Sequence, residues 1–229
     1  MLGELTTLFA SVPAHGDRAD YATAIIEGNC LAKPTASTRK LTNQRLGELY
    51  GLDPSLPIFR TLRVAWTLDE SSRPLLAVLV ALARDPLLRA TAANVISLPE
   101  GSEFQRSPMR ESLRAAVGDR LNDSTLNKVI RNASSSWTQS GHLSGRTFKV
   151  RNQVRATPAA IALAIFLAYR AGFQGEEVLT SAWIAILDCT PTQARDLVTQ
   201  AKRLGILDLK SAGDVFEVGF ERLDNLRRG

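Results

Sequence analysis

The stretch Ser124-Thr-Leu-Asn-Lys-Val-Ile-Arg-Asn-Ala-Ser-Ser-Ser-Trp-Thr-Gln-Ser-Gly-His-Leu-Ser-Gly-Arg-Thr-Phe-Lys-Val-Arg-Asn-Gln-Val-Arg155 decides how the chain reads. Leu126, Val129, Ile130, Ala133 and Trp137 recur at helical spacing, which predicts a helix over 124–140 with one inward stripe. Gly141 stops it, and Arg146–Val154, where β-formers alternate with cations, reads as a strand. The pattern recurs near the end of the chain. A helix over 191–204 ends in Gly205-Ile206-Leu207, matching Gly141-His142-Leu143, and Ile206–Lys210 and Val215–Phe220 flank Ser211-Ala-Gly-Asp214 as a hairpin. A helix precedes each copy, over 108–118 and 177–187. Helix, turn, helix, Gly-x-Leu and strand is the order of a winged helix-turn-helix. The second copy carries a complete hairpin wing, while the first reads as a helical hairpin with a basic strand attached.

Outward from these units the chain reads as helical. Asp53-Pro54, Asp85-Pro86, Ser107-Pro108, Thr157-Pro158 and Thr190-Pro191 each set a capping side chain before a proline that needs no donor in a first helical turn. Further helices are expected over 17–28, 36–50, 54–68, 73–84, 86–97 and 158–171, with a short one before Ser11. The expected fold is mainly α: a multi-helix bundle with helix-turn-helix elements and a C-terminal winged-helix unit with a short β-hairpin. It divides into an N-terminal helical region (1–105), a basic helix-turn-helix-like region (106–156) and a C-terminal winged-helix-like region (157–229). No glycine-rich linker separates them, so one packed body is expected.

The 229 residues carry a formal charge of +5. Its distribution matters more than its size. Residues 124–175 hold seven basic side chains and no acidic one, residues 1–123 are balanced, and residues 176–229 are slightly acidic. A solvated surface normally mixes signs, so a block of one sign points to an anionic partner, nucleic acid first.

On the helix over 124–140, Lys128, Arg131, Ser135 and Gln139 fall opposite the apolar stripe and offer donors suited to phosphates and base edges. His142, Arg146, Lys149, Arg151 and Arg155 follow on a loop and strand that would run along the adjacent backbone. With all six cations of this set engaged, log K would fall against log salt with a slope of about −5. Arg39, Lys40 and Arg45 form a smaller cluster on an N-terminal helix, which reads equally as an ordinary amphipathic face balanced by Glu48. On the last helix Ala194, Leu197, Val198, Ala201 and Leu204 are expected inward, leaving Thr192, Arg195, Asp196, Thr199 and Arg203 outward. Asp196, with Asp208, Asp214 and Glu217 on the wing, would repel phosphates, so this unit reads either as a DNA contact or as a packing and protein-contact module. Arginine outnumbers lysine 22 to 6, a bias that suits forked phosphate contacts and equally follows from a GC-rich genome.

Enzyme readings find little. There is no GxxxxGK[ST] or GxGxxG turn, the two histidines, His15 and His142, lack partners at metal or triad spacing, and Cys30 and Cys189 stand apart. Asp208-Leu209-Lys210 has the acid-x-Lys form of a nuclease arm, yet the upstream acids fall on helices rather than on a neighbouring strand. No catalytic residue, cofactor or metal is expected. The apolar runs Pro74–Ala83 and Pro158–Tyr169 are short of a membrane span, and the first residues lack a signal-peptide pattern, so a cytoplasmic protein is expected.

Three stretches carry a family resemblance: Asn29-Cys-Leu-Ala-Lys-Pro-Thr-Ala-Ser-Thr-Arg39 leading to Arg45-Leu-Gly-Glu-Leu-Tyr50; Arg73-Pro-Leu-Leu-Ala-Val-Leu-Val-Ala-Leu-Ala-Arg-Asp-Pro-Leu-Leu-Arg89; and Ser135-Ser-Trp-Thr-Gln-Ser-Gly-His-Leu-Ser-Gly-Arg146. Together they resemble the BrxA family of bacterial BREX phage-defence systems. The resemblance implies a mostly helical, non-enzymatic protein that binds double-stranded DNA beside a methyltransferase and other defence proteins. It assigns no DNA-contacting residue. Two other readings stand beside it: a transcriptional regulator reading an operator through Thr192, Arg195 and Arg203, and a scaffold binding a protein through its acidic C-terminal unit. A phosphate-tracking surface would also accept RNA unless it senses the 2′-hydroxyl.

Overall fold

Two helices that are apolar on every side organise the molecule. In the computed structural model, which describes residues 1–212 and 215–223, Leu75–Leu82 of one and Ala159–Ala168 of the other are buried throughout. A helix apolar all round must be covered on every face, and the remaining helices provide that cover. The N-terminal part comprises α1 (Leu2–Ser11), α2 (Arg18–Ile26), α3 (Ala36–Tyr50), α4 (Pro57–Leu68) and α5 (Arg73–Arg84), the first of the two central helices. Phe9, Tyr21, Phe59 and Trp66 meet edge to face at ring-centroid distances of 5.2–6.2 Å. Buried Arg63 donates to the carbonyls of Phe9 (3.0 Å) and Val12 (2.6 Å), a cation at the C-terminal end of α1 that suits the helix dipole.

The chain continues through α6 (Pro86–Ala90), α7 (Ala93–Ile96), α8 (Arg106–Val117) and α9 (Asp123–Gln139) to β1 (Leu143–Ser144) and β2 (Val150–Arg151). It then forms α10 (Pro158–Arg170), the second central helix, a 3-10 turn (Gly175–Thr180), α11 (Ala182–Ala185), α12 (Pro191–Arg203), β3 (Asp208–Ala212) and β4 (Val215–Gly219). The fold is mainly helical with a short C-terminal antiparallel hairpin, paired from Asp208↔Gly219 to Ala212↔Val215. Gly213 and Asp214, expected at its tip, lie outside the described residues. No helix among the described residues is long and apolar enough to cross a membrane.

Three of the five cap-proline pairs start helices as expected. Asp85, Thr157 and Thr190 accept from backbone N–H groups at the heads of α6, α10 and α12, and Gln193 completes a capping box with Thr190. The other two differ. Asp53 accepts from Ser55 N in a local turn, and α4 begins only at Pro57. At Ser107-Pro108 the helix has already begun at Arg106, and the proline sits in the first turn, where no donor is required. The single helix expected over 86–97 is two short ones, parted at Thr91-Ala92, where Thr91 N and Oγ1 both donate to Leu88 O three residues back. The helix expected over 177–187 is a 3-10 turn and one α-turn divided at Ser181, whose backbone is extended.

The basic unit is more complete than its sequence suggests. The strand expected over Arg146–Val154 is instead a hairpin, with Leu143↔Arg151 and Ser144↔Val150 paired and Gly145–Lys149 as its turn. A third segment joins it: Phe104 N donates to Lys149 O (2.7 Å), Arg151 N to Ser102 O (2.9 Å) and Gly101 N to Arg151 O (2.8 Å). The order is helix (α6 and α7), strand segment, α8, α9, hairpin, with β2 between β1 and residues 102–104. This order is that of a winged helix-turn-helix, and it draws on residues ahead of 106. The second copy, α10, α11, α12 and the β3–β4 hairpin, has no described counterpart to that third segment.

Candidate nucleic-acid interface

Helix α9 is set in place by its apolar stripe. Leu126, Ile130, Ala133 and Trp137 are buried, Val129 is half-buried, and Trp137 Nε1 donates to Thr91 Oγ1 at 2.8 Å, fastening α9 to the α6–α7 corner. Asn122 caps the helix by accepting from Thr125 N. The opposite face is then fixed by the helical period, and Lys128, Arg131, Ser135 and Gln139 are all exposed. Lys128 and Arg131 make no ion pair or hydrogen bond among the described residues. Ser135 and Gln139 are already engaged: Gln139 Oε1 accepts from Leu2 N (2.9 Å) and the Met1 amino group (3.0 Å), while its Nε2 donates to Ser135 Oγ (2.9 Å). The C-terminal half of the stripe holds α1 against α9 before it meets any ligand.

The hairpin beside α9 divides the remaining candidates. Arg146 and Arg155 are exposed and unpaired among the described residues. Half-buried Lys149 donates to Thr138 Oγ1 on α9 (2.7 Å) and to Gly145 O (3.2 Å), so it braces the turn. Two expected contacts are corrected. His142 is fully buried: Nε2 lies 2.7 Å from Ile186 O and Nδ1 2.8 Å from Ser140 Oγ, with the ring edge-on to Trp137. Since a carbonyl can only accept, Nε2 carries the proton, while the single Ser140 hydroxyl proton is shared between Nδ1 and the Trp137 carbonyl, 3.0 Å from Oγ. Burial holds this imidazole below its ordinary value near 6.5, partly opposed by its bond to Ile186 and by Asp188.

Arg151 is the second correction. It is 3% exposed and pairs with Asp188, whose other carboxylate oxygen accepts from Val154 N at 2.8 Å. Asp188 adopts a left-handed φ of 53°, a conformation that Asp tolerates better than most residues. The partners of both side chains lie far along the chain. His142 and Arg151 tie the first winged unit to the second and are withdrawn from the surface.

The secondary candidates also separate. Arg39 is half-buried, and its Nη1 donates to Ile26 O (2.6 Å) at the end of α2. Lys40 and Arg45 are exposed. Arg45 shares a cleft of about 540 Å³ with Asn132, Ser135 and Gln139, so α3 does bring a cation to the flank of α9, together with Glu48 and Asp85. On α12, Thr192, Arg195 and Arg203 are exposed, but Arg195 donates to Glu176 Oε1 (2.6 Å) and lies over the Phe216 ring. Leu204, expected inward, is 68% exposed, because α12 ends at Arg203 and the chain turns away at Gly205.

The nuclease-like arm gains no partner. Asp208 lies 3.6 Å from Arg222, Lys210 lies 3.7 Å from Glu217, and no group of three potential metal ligands stands together among the described residues. Burial raises the thiol pKa of both Cys30 and Cys189, the opposite of an activated nucleophile. One surface residue escaped the sequence reading. Phe148, in the turn between β1 and β2, is 73% exposed. Its signal was an aromatic residue close after a glycine and between Arg146 and Lys149, in a stretch otherwise readable as strand.

No protein-family model, curated protein or solved structure matches the chain significantly.

Proposed function

We propose that the chain is a non-enzymatic protein that binds double-stranded DNA through its first winged helix-turn-helix, as an accessory component of a bacterial phage-defence system of the BREX type. The observation that carries the DNA reading is the α9 face. Lys128 and Arg131 project without a carboxylate partner beside a hairpin bearing Arg146 and Lys149, within 52 residues that contain no acid. Donors on a helix supported by a cationic hairpin suit a phosphate backbone, and the exposed acid on the segment flanking the hairpin, Glu103, is outnumbered by these cations. The defence assignment rests on the resemblance to the BrxA family.

With Arg151 withdrawn to its buried pair, five cations remain: Lys128, Arg131, Arg146, Lys149 and Arg155. The expected slope of log K against log salt is then about −4.5. A salt titration by fluorescence anisotropy with a random-sequence duplex tests this directly, and a flat dependence, or no binding at low salt, would sink it. Competition between matched DNA and RNA duplexes determines the polymer, and the genes adjacent to this one test the defence assignment.

A second reading applies to the C-terminal unit alone. Arg195 is occupied by Glu176, Asp196 and Glu217 are exposed, and Leu204 stands in solvent at the end of α12. That combination favours a protein partner over phosphate. Co-purification that survives nuclease treatment and is lost with Leu204→Lys supports it, whereas operator binding lost with Arg195→Ala and Arg203→Ala would favour a regulator instead.

A further inference from the structure

The turn joining β1 to β2 holds the most exposed large apolar side chain among the described residues. Phe148 is 73% exposed and stands between exposed Arg146 and half-buried Lys149. A single exposed apolar residue is ordinary on a protein surface and by itself implies nothing. Here the support beneath it is unusual, because the turn is braced on three sides. Lys149 Nζ bonds across the turn to Gly145 O and down to Thr138 Oγ1 on α9. Behind it, β2 is held between β1 and residues 102–104.

Gly145 adds a backbone requirement. Its φ is +95°, and a Cβ there would fall 2.0 Å from Phe148 O, so only glycine lets the chain double back this closely. The turn is therefore a fixed platform, and what it projects is an aromatic ring flanked by cations. The brace fixes the backbone from which the ring projects.

We infer that Phe148 is a wedge that enters the minor groove of bound DNA and partly unstacks one base step. The inference rests on the proposal that the first winged unit binds duplex DNA, and it assigns a task within that surface to a residue the charge pattern does not reveal. Apolar wedges carried by cationic elements kink duplexes in this way, with the cations holding the backbone on either side of the opened step. Charge selects the occupant. No acidic side chain lies anywhere in 124–175, so the tip suits a polyanion with apolar base faces between its phosphates. The brace through Thr138 sets the ring relative to α9, so that a helix in one groove and a ring in the next act on one stretch of duplex.

The test uses the full chain and short duplexes containing several T-A steps, which unstack readily, with 2-aminopurine at one step and a donor–acceptor dye pair on the ends. Binding of the unaltered protein should raise 2-aminopurine fluorescence and shorten the end-to-end distance. Phe148→Ala should abolish both signals, weaken binding about tenfold and leave the salt slope unchanged, since no cation is lost. Phe148→Trp should retain both signals. Arg146→Ala should do the reverse of Phe148→Ala, lowering the slope by about one while keeping the fluorescence rise. The inference is overturned if Phe148→Ala binds and bends like the unaltered protein, or if the unaltered protein binds duplex DNA with no unstacking at any labelled step. In both cases the DNA-binding proposal stands. If the unaltered protein binds no duplex at low salt, both fall. Equal melting temperatures for the variants exclude misfolding as the cause.

Discussion

The two winged units share an order of elements and differ in what they leave free. In the first, the exposed face of α9 carries Lys128 and Arg131 unpaired, and the hairpin adds Arg146 and a projecting phenyl ring. In the second, the corresponding helix α12 has its central arginine tied to Glu176, an aspartate on the same face and a leucine exposed at its end. Backbone order alone therefore predicts nothing about ligand. Which charges are already satisfied inside the protein separates a surface suited to phosphate from one suited to protein.

The sharpest test of that contrast concerns an arginine on the wrong side of it. Arg151 belongs by sequence to the cationic set, but its buried pair with Asp188 makes it structural. Arg151→Ala should destabilise the fold by about 3–5 kcal/mol, read by denaturant unfolding, because it leaves the Asp188 charge buried and uncompensated. Arg146→Ala should leave stability within about 0.5 kcal/mol. If Arg151→Ala instead unfolds like the unaltered protein and loses only DNA affinity, the division between bracing and binding cations is wrong.

On the binding side, the double variant Lys128→Ala with Arg131→Ala should weaken duplex binding on the order of 50-fold at 0.1 M salt and reduce the salt slope by about two. Arg195→Ala with Arg203→Ala should change it less than threefold. Titrations of the two pairs side by side would reverse the assignment of the units if the second pair proved the costlier. A smaller effect, about 1–3 kcal/mol of stability, is expected from Thr91→Val, which leaves the buried indole N–H of Trp137 without its acceptor and loosens α9 from its corner.

The mildest expected effect is a pH dependence at the junction between the units. His142, facing Asp188 and Arg151, titrates below its ordinary 6.5 in the folded protein, so between these two values the unfolded chain binds a proton that the folded chain does not. Stability should therefore rise with pH through that window and fall on acidification below about 6.5. His142→Gln should flatten this part of the stability profile even if it lowers the whole curve. A profile unchanged by the substitution would remove His142 from the junction's energetics.

Much of this contrast was legible in the sequence, for identifiable reasons. The stripe from Leu126 to Trp137 fixes which side of α9 faces water, and the Gly141-His142-Leu143 and Gly205-Ile206-Leu207 endings reveal the repeated unit, because periodicity and helix stops are local properties. The pieces that escaped are those whose partners are remote. Ser102–Phe104 is too short to signal a strand and forms only a bridge against β2. His142 reads as a surface histidine until Ile186, 44 residues on, supplies its acceptor. Arg151 reads as a phosphate ligand until Asp188, 37 residues on, neutralises it. Gln139 looks free until the first turn of α1 arrives to use it.

The left-handed turn at Asp188 has one more consequence. Its carboxylate grips both the Arg151 side chain and the Val154 backbone, while two residues earlier the Ile186 carbonyl accepts from His142 Nε2, so the α11–α12 corner of the second unit is fastened to the hairpin end of the first. The chain is thus a bracket of set angle rather than two beads on a string. Whatever α12 and its hairpin hold is carried at one heading and one offset from whatever lies along α9, and turning the first ligand turns the second with it.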